Sequence, residues 1–321
     1  MSLRQGCQVI VLSLFCLGMA SAQDVVSSPR LAPDFEAPAE FEEPAVPASP
    51  GAAPLFGLIR PTDPDFDNFI SPMTNPVFFE DPRNVTEARA IFLNHHIPNS
   101  LGGQNAQLYA VQLRASLTEN LSFIATKDGY VVSQNPLIDD GFADVAAGLK
   151  YLLFKDVESQ TLLSAGATYA LPVGSTRTLQ GRCDGEFNIF ATGGTEFLDN
   201  GHYVTASGFR LPANREMGNQ IWYWSNHVDW QLGDSGLYLF TEANWYHYMS
   251  SANGFGVPVG GMDLFNLGSV GMAGQNTVTG AYGVKYKPAS NVEIGVAYEL
   301  PYSQRKDIMQ DRLTVDLIVR Y

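Results

Sequence analysis

The feature that most limits this chain is the alternation in residues 313–321. Leu313, Val315, Leu317, Val319 and Tyr321 fall on one face, and Thr314, Asp316, Ile318 and Arg320 fall on the other. A period of two is that of a β-strand, with successive side chains on opposite faces. The same texture recurs upstream. Val292, Ile294, Val296, Tyr298 and Leu300 oppose Glu293, Gly295, Ala297 and Glu299. Trp222, Trp224, Val228 and Trp230 oppose Tyr223, Ser225, His227 and Asp229, and Val145, Ala147, Leu149, Tyr151 and Leu153 oppose Asp144, Gly148 and Lys150. The stretches 87–95, 187–193 and 203–211 alternate less cleanly. No uncharged apolar run reaches the roughly 20 residues that a membrane-spanning helix needs.

Counting by this period predicts 12 strands, at 86–96, 105–117, 121–130, 142–155, 160–171, 186–195, 202–211, 219–232, 236–248, 275–287, 291–300 and 311–321. The links after every second strand are short and turn-like, at 118–120, 156–158, 196–201, 233–235 and 288–290. The others are mostly longer, and 249–274 is the longest. An even strand number, with short turns at one end and long loops at the other, is the layout of a bacterial outer-membrane β-barrel, and it places both termini in the periplasm. The fold class predicted is therefore all-β: a transmembrane, antiparallel, up-and-down barrel. A secreted soluble barrel also alternates, but with its apolar face inward. Here the apolar face is continuous and edged by aromatics. Tyr321, Trp230 and Tyr286 fall near the periplasmic interface, and Tyr169, Trp222, Trp245 and Tyr298 near the outer one, which suits amphipathic rings.

The first residues set the compartment. Arg4, an apolar run over 9–19 and Ala20-Ser21-Ala22 make the three parts of a signal peptide, so residues 1–22 are expected to be removed on export. Of three cysteines only Cys183 then remains, which excludes an intrachain disulfide and a cysteine-built zinc site. Residues 23–83 hold 12 of the 19 prolines and 11 acidic against 3 basic side chains. The first half of this tail should stay extended or disordered. The second half carries Phe56, Phe66, Phe69, Phe78 and Phe79 among Asp and Pro. Either it docks at the barrel rim as a linker, or it enters the lumen as a partial plug. The barrel proper is expected over 84–321. Acidic residues outnumber basic ones, 33 to 19, so a nucleic-acid partner is disfavoured.

The charged face would line the lumen. The candidates are Arg89, Arg114, Asp144, Lys150, Asp229, Glu242, Lys285, Glu293, Glu299, Asp316 and Arg320, with Glu87 beside them. A mixed-sign wall suits polar solutes and does not select one ion; paired side chains that merely satisfy each other would look the same. No catalytic residue, metal ligand or cofactor is assigned. His95 and His96 are adjacent, so on a strand their rings point to opposite faces. Ser225, Asn226 and His227 have the residue types of an outer-membrane lipid hydrolase, but no glycine motif marks a nucleophile.

The blocks at 71–98 (SPMTNPVFFEDPRNVTEARAIFLNHHIP), 109–130, 141–156 and 162–175 resemble uncharacterised outer-membrane proteins of planctomycete-type bacteria. Those in turn resemble the transporter-like barrels grouped with the meta-pathway of phenol degradation. The resemblance spans about residues 71–321 and brings no agreed site residues. It implies that Leu317, Val319 and Tyr321 form the C-terminal signal read by the barrel-assembly machinery, and that outer-membrane lipid and a small solute are the remaining partners. The function expected is a passive channel or facilitator for small solutes, hydrophobic or aromatic ones among them. The alternative is a closed structural or adhesive barrel acting through its long loop or its periplasmic tail; a lipid hydrolase ranks below both.

Overall fold

A computed structural model of the chain describes residues 54–321. The expected signal peptide and the first half of the Pro/Ala-rich tail lie outside the described residues. After a short 3-10 turn, η1 (Pro64–Phe66), come β1 (Glu87–His96), β2 (Asn105–Ser116), β3 (Leu121–Lys127), β4 (Tyr130–Ser133), β5 (Gly141–Phe142), β6 (Val145–Asp156), β7 (Thr161–Leu171), β8 (Glu186–Phe197), β9 (Gly201–Pro212), β10 (Ile221–Gln231), β11 (Leu237–Tyr248), β12 (Asn276–Ala289), β13 (Val292–Pro301) and β14 (Asp311–Arg320).

Each strand is antiparallel to its neighbours, and β1 pairs with β14 along its whole length, from Glu87 opposite Arg320 to His96 opposite Asp311. β1 also pairs with β2, so the sheet closes on itself. β3 and β4 lie end to end against β2, and β5 leads into β6, which makes a closed barrel of 12 strands. Closure matters because an open edge in lipid leaves N–H and C=O groups unpaired, at several kcal/mol each.

The 12 predicted strands are present; where the count runs straight on, two of them are broken. Strand three stops at Lys127 and resumes at Tyr130 because Gly129 takes a φ of +111°, where an added Cβ would sit 2.4 Å from the Tyr109 carbonyl oxygen. The Asp128 carboxylate accepts the Val111 N–H at 2.9 Å in place of the lost ladder bond. The next strand is interrupted at the matching height, where the Ala143 N–H donates to the Gly129 carbonyl at 2.9 Å.

The two faces are inverted relative to a soluble protein. Outward Leu149, Val296 and Leu317 are 50%, 44% and 43% exposed, while inward Lys285, Glu293 and Asp316 are at most 1% exposed. Soluble monomers rarely expose so many large apolar side chains on one surface. No helix among the described residues is long and apolar enough to cross a membrane. Trp222 and Trp245 meet edge to face at 4.8 Å near the long-loop end, and Trp230 lies at the end that carries the C-terminus.

If this face meets lipid, substitution costs follow depth. Val296→Arg, at mid-strand, should lose about 2–4 kcal/mol of folding stability in lipid vesicles, against roughly 0–1 kcal/mol for Leu300→Arg near the strand end. Equal costs in a urea titration would contradict the orientation.

Candidate functional site: a charged lumen filled from both ends

Wall side chains fill the bore of a barrel of about eight strands; twelve enclose more. The chain fills the remainder with two of its own segments. The first enters at the end that carries the C-terminus. There the Thr62 N–H donates to the Tyr321 carbonyl at 2.5 Å and the Thr86 hydroxyl donates to the Arg60 carbonyl at 2.6 Å. It rises through Phe66 and Phe69, turns at Asn75 (φ +52°), and returns through Phe78 and Phe79 to β1. Pro72, Pro76 and Pro82 lack the N–H that a helix or ladder needs. Some plug N–H groups bond within the plug, as Phe78 and Phe79 do to the Asn75 carbonyl at 3.0 and 2.8 Å; others must find acceptors elsewhere, and two wall carboxylates provide them. The Ser71 N–H donates to Glu293 at 3.1 Å; the Met73 and Thr74 N–H groups donate to the two oxygens of Glu242 at 2.7 and 2.6 Å.

Ion pairs fix the lower half of this plug. Arg114 pairs with Glu80 of the plug at 2.6 Å and with Glu87 at 3.0 Å. The Lys150 ammonium sits 2.9 Å from Glu80 and donates to the Asp81 and Arg83 carbonyls at 2.5 and 2.8 Å. Within the plug, Arg83 pairs with Asp81 at 2.7 Å. Arg320 bridges Glu87 at 2.9 Å and Glu293 at 2.5 Å, and donates to the Ser71 hydroxyl at 2.9 Å. Lys285 lies 3.1 Å from both Glu293 and Asp316, and Arg89 meets Asp316 at 2.8 Å.

Along one side of the plug, from Phe69 up to Thr74, a chain of buried groups crosses three strands. His202 Nδ1 is 2.7 Å from Asp229, whose other oxygen is 3.0 Å from His227 Nε2; His227 Nδ1 is 2.7 Å from Glu242. Asn75 donates to the Ser225 hydroxyl at 2.8 Å. Both His227 nitrogens are thus taken by carboxylates, so His227 is not placed as a base for Ser225.

The second filler is the long loop between β11 and β12, which folds in from the opposite end. Its Asp263 pairs with Arg312 at 2.8 Å, and Arg312 meets Glu299 at 2.6 Å. Arg210 donates to the Met262 and Phe265 carbonyls at 2.9 and 3.0 Å. A small apolar gap of about 30 Å³ separates the two fillers, between Val77 of the plug, Leu264 and Phe265 of the loop, and Ile91, Leu93 and Leu108 of the wall.

All eleven sequence candidates are buried; eight bond to these fillers or to each other, while Asp229 is held by His202 and His227 and Glu299 by Arg312 and Thr279. Asp144 stands apart at the long-loop rim, 3.4 Å from Lys127, where it accepts the N–H groups of Gly174 and Gly181 at 3.0 and 2.8 Å. Leu317, Val319 and Tyr321 face outward at the closing strand. Sequence reasoning missed Arg312, although it shares the two-residue step of Asp316 and Arg320. It missed Arg210 and His202 because the outward side of β9 is itself polar. Glu80, Asp81, Arg83 and Asp263 lie in segments with no period to read.

No family model matches this chain, and no curated protein matches it. Neither comparison supports the naming by planctomycete-type or phenol-pathway proteins. Among solved structures, an outer membrane channel from Pseudomonas putida F1 superposes with a TM-score of 0.55 at 10% identity, over 79% of this chain and 100% of that one. A NanC porin aligns at a TM-score of 0.48 and 8% identity, over 74% and 99%. At such identities the likeness is one of fold: a barrel of the outer-membrane channel type.

Removing Glu80 leaves Arg114 without its plug partner and Lys150 with only the Asp81 and Arg83 carbonyls of the plug. Glu80→Ala should cost roughly 3–5 kcal/mol in plug retention, read as faster proteolytic cleavage within residues 61–84 while the barrel stays intact. Unchanged cleavage would show that these pairs do not hold the plug. In the rim loops, burial, reinforced by nearby Glu186, pushes the Cys183 thiol up to about 12. Because the thiolate is the nucleophile, Cys183 should resist maleimide at pH 8 in the folded protein and react in denaturant.

Proposed function

We propose that the protein is an outer-membrane channel for passive movement of small solutes, closed at rest by residues 66–84 and by the inward-folded loop. One observation carries the reading. Much of the charged wall ends on a separate, proline-rich segment and not on the opposite wall, so displacing that segment would leave a polar bore. The fold shared with an outer membrane channel supports it. Export by the N-terminal signal, insertion by the barrel-assembly machinery and residence in outer-membrane lipid belong to this proposal. The sequence resemblance to phenol-pathway transporter-like barrels suggests hydrophobic or aromatic solutes.

A closed structural or adhesive barrel is the second reading, favoured by the filling of the bore from both ends. Planar-bilayer recording separates the two. The mature chain should show no steady conductance, whereas a variant lacking residues 61–80 should open stepwise conductance and admit small solutes in liposome swelling. A heat-modifiable but silent deletion variant would favour the structural reading.

A further inference from the structure

The outward face of the barrel is not uniform. On β1, β2, β6, β13 and β14 the mid-strand outward positions are mostly bulky and apolar, including Phe92, Val111, Leu149, Val296 and Val315. On β8 to β11 the central row is small or polar, with Trp224 and Val228 flanking it on β10. Gly193, Thr205, Asn226 and Ala243 are successive cross-strand partners, forming one row across four strands at mid-height. Ala191 and Ser207 begin the adjoining row, which ends on Trp224 and Trp245. No outward residue of these four strands is charged.

Lipid tails pack well against bulky aliphatic side chains and gain nothing from an amide. Small residues instead permit close approach of another protein surface, and polar groups hydrogen-bond across it. Asn226 is the centre of the patch. Its side-chain oxygen accepts from Tyr203 at 2.6 Å and from Thr205 at 3.1 Å, but its amide nitrogen donates to no group among the described residues. A donor left over at the middle of a bilayer is costly. Neighbouring indoles are held away from it: Trp224 Nε1 donates to Thr205 and Trp222 Nε1 to Ser207, both at 2.9 Å, which frames a shallow, aromatic-edged floor.

We infer that this face, centred on Asn226, is the contact between two copies of the chain in the membrane. A second copy is the occupant the chemistry selects. A carboxamide carries donor and acceptor on one group: each Asn226 amide nitrogen can donate to the other copy's Asn226 oxygen in place of the Thr205 hydroxyl, which has the Ser225 carbonyl at 3.0 Å as its other acceptor, and such a pair suits a two-fold axis, where a surface must be self-complementary. Four strands about 4.8 Å apart beneath an apolar band about 25 Å tall give a projected face of about 480 Å², a little over half the roughly 800 Å² per partner of a standard interface. The inference rests on membrane residence but not on conduction.

Site-specific cross-linking in outer-membrane preparations tests it, in a Cys183→Ser background. Ala243→Cys should form a dimer with a short bis-maleimide at least tenfold more efficiently than Val315→Cys on the opposite face, and adding Asn226→Leu should abolish the difference. Single-molecule photobleaching of labelled protein in nanodiscs should then show two steps for the native face and one for Asn226→Leu. Equal cross-linking from both faces, or single-step bleaching throughout, would overturn the interface. Heat-modifiability shows that each variant is folded. A failure of membrane fractionation would instead count against the membrane reading beneath it.

Discussion

Everything in this molecule follows from the need to pair backbone groups where no water is present. The ladder between β1 and β14 joins residues more than 200 positions apart and removes the last free edge. Once twelve strands are joined in a ring, the bore is too wide for the wall to fill. The inward face of a membrane barrel can be polar because its outward face has taken the apolar residues. A wide polar bore must then hold water or chain. Here, in large part, it holds chain.

Filling the bore with a proline-rich segment has a consequence for charge. The segment satisfies only part of its own backbone, so Glu293 and Glu242 serve as acceptors for Ser71, Met73 and Thr74. Those carboxylates are buried and need cations or donors of their own, which Arg320, Lys285 and His227 supply. Each buried pair is weak evidence for stability taken alone, since desolvation offsets much of the Coulomb gain. What the network specifies is position. A plug held by side chains is also one that can leave without unfolding the ladder.

The sequence made the wall legible and left the contents obscure, for a physical reason. Alternation is imposed by the pleat and by the contrast between lipid and lumen, so β13 and β14 are read directly from Val292 to Arg320. Where the outward side is itself polar, as at Tyr203, Thr205 and Ser207 on β9, the contrast fades and Arg210 goes unseen. The plug has no period, because its conformation is set by partners such as Arg320, 249 residues from Ser71. Phe66, Phe69, Phe78 and Phe79 did hint that the second half of the tail had apolar surface to bury, yet nothing local distinguished the rim from the lumen.

The central claim is that residues 66–84 are seated in the lumen and bonded to its wall. Amide hydrogen exchange of the protein in lipid reads this directly. Ser71, Met73 and Thr74, whose N–H groups point at Glu293 and Glu242, should exchange as slowly as the strand amides of β13 and β14. Exchange of those three at the rate of an unstructured peptide would contradict the account.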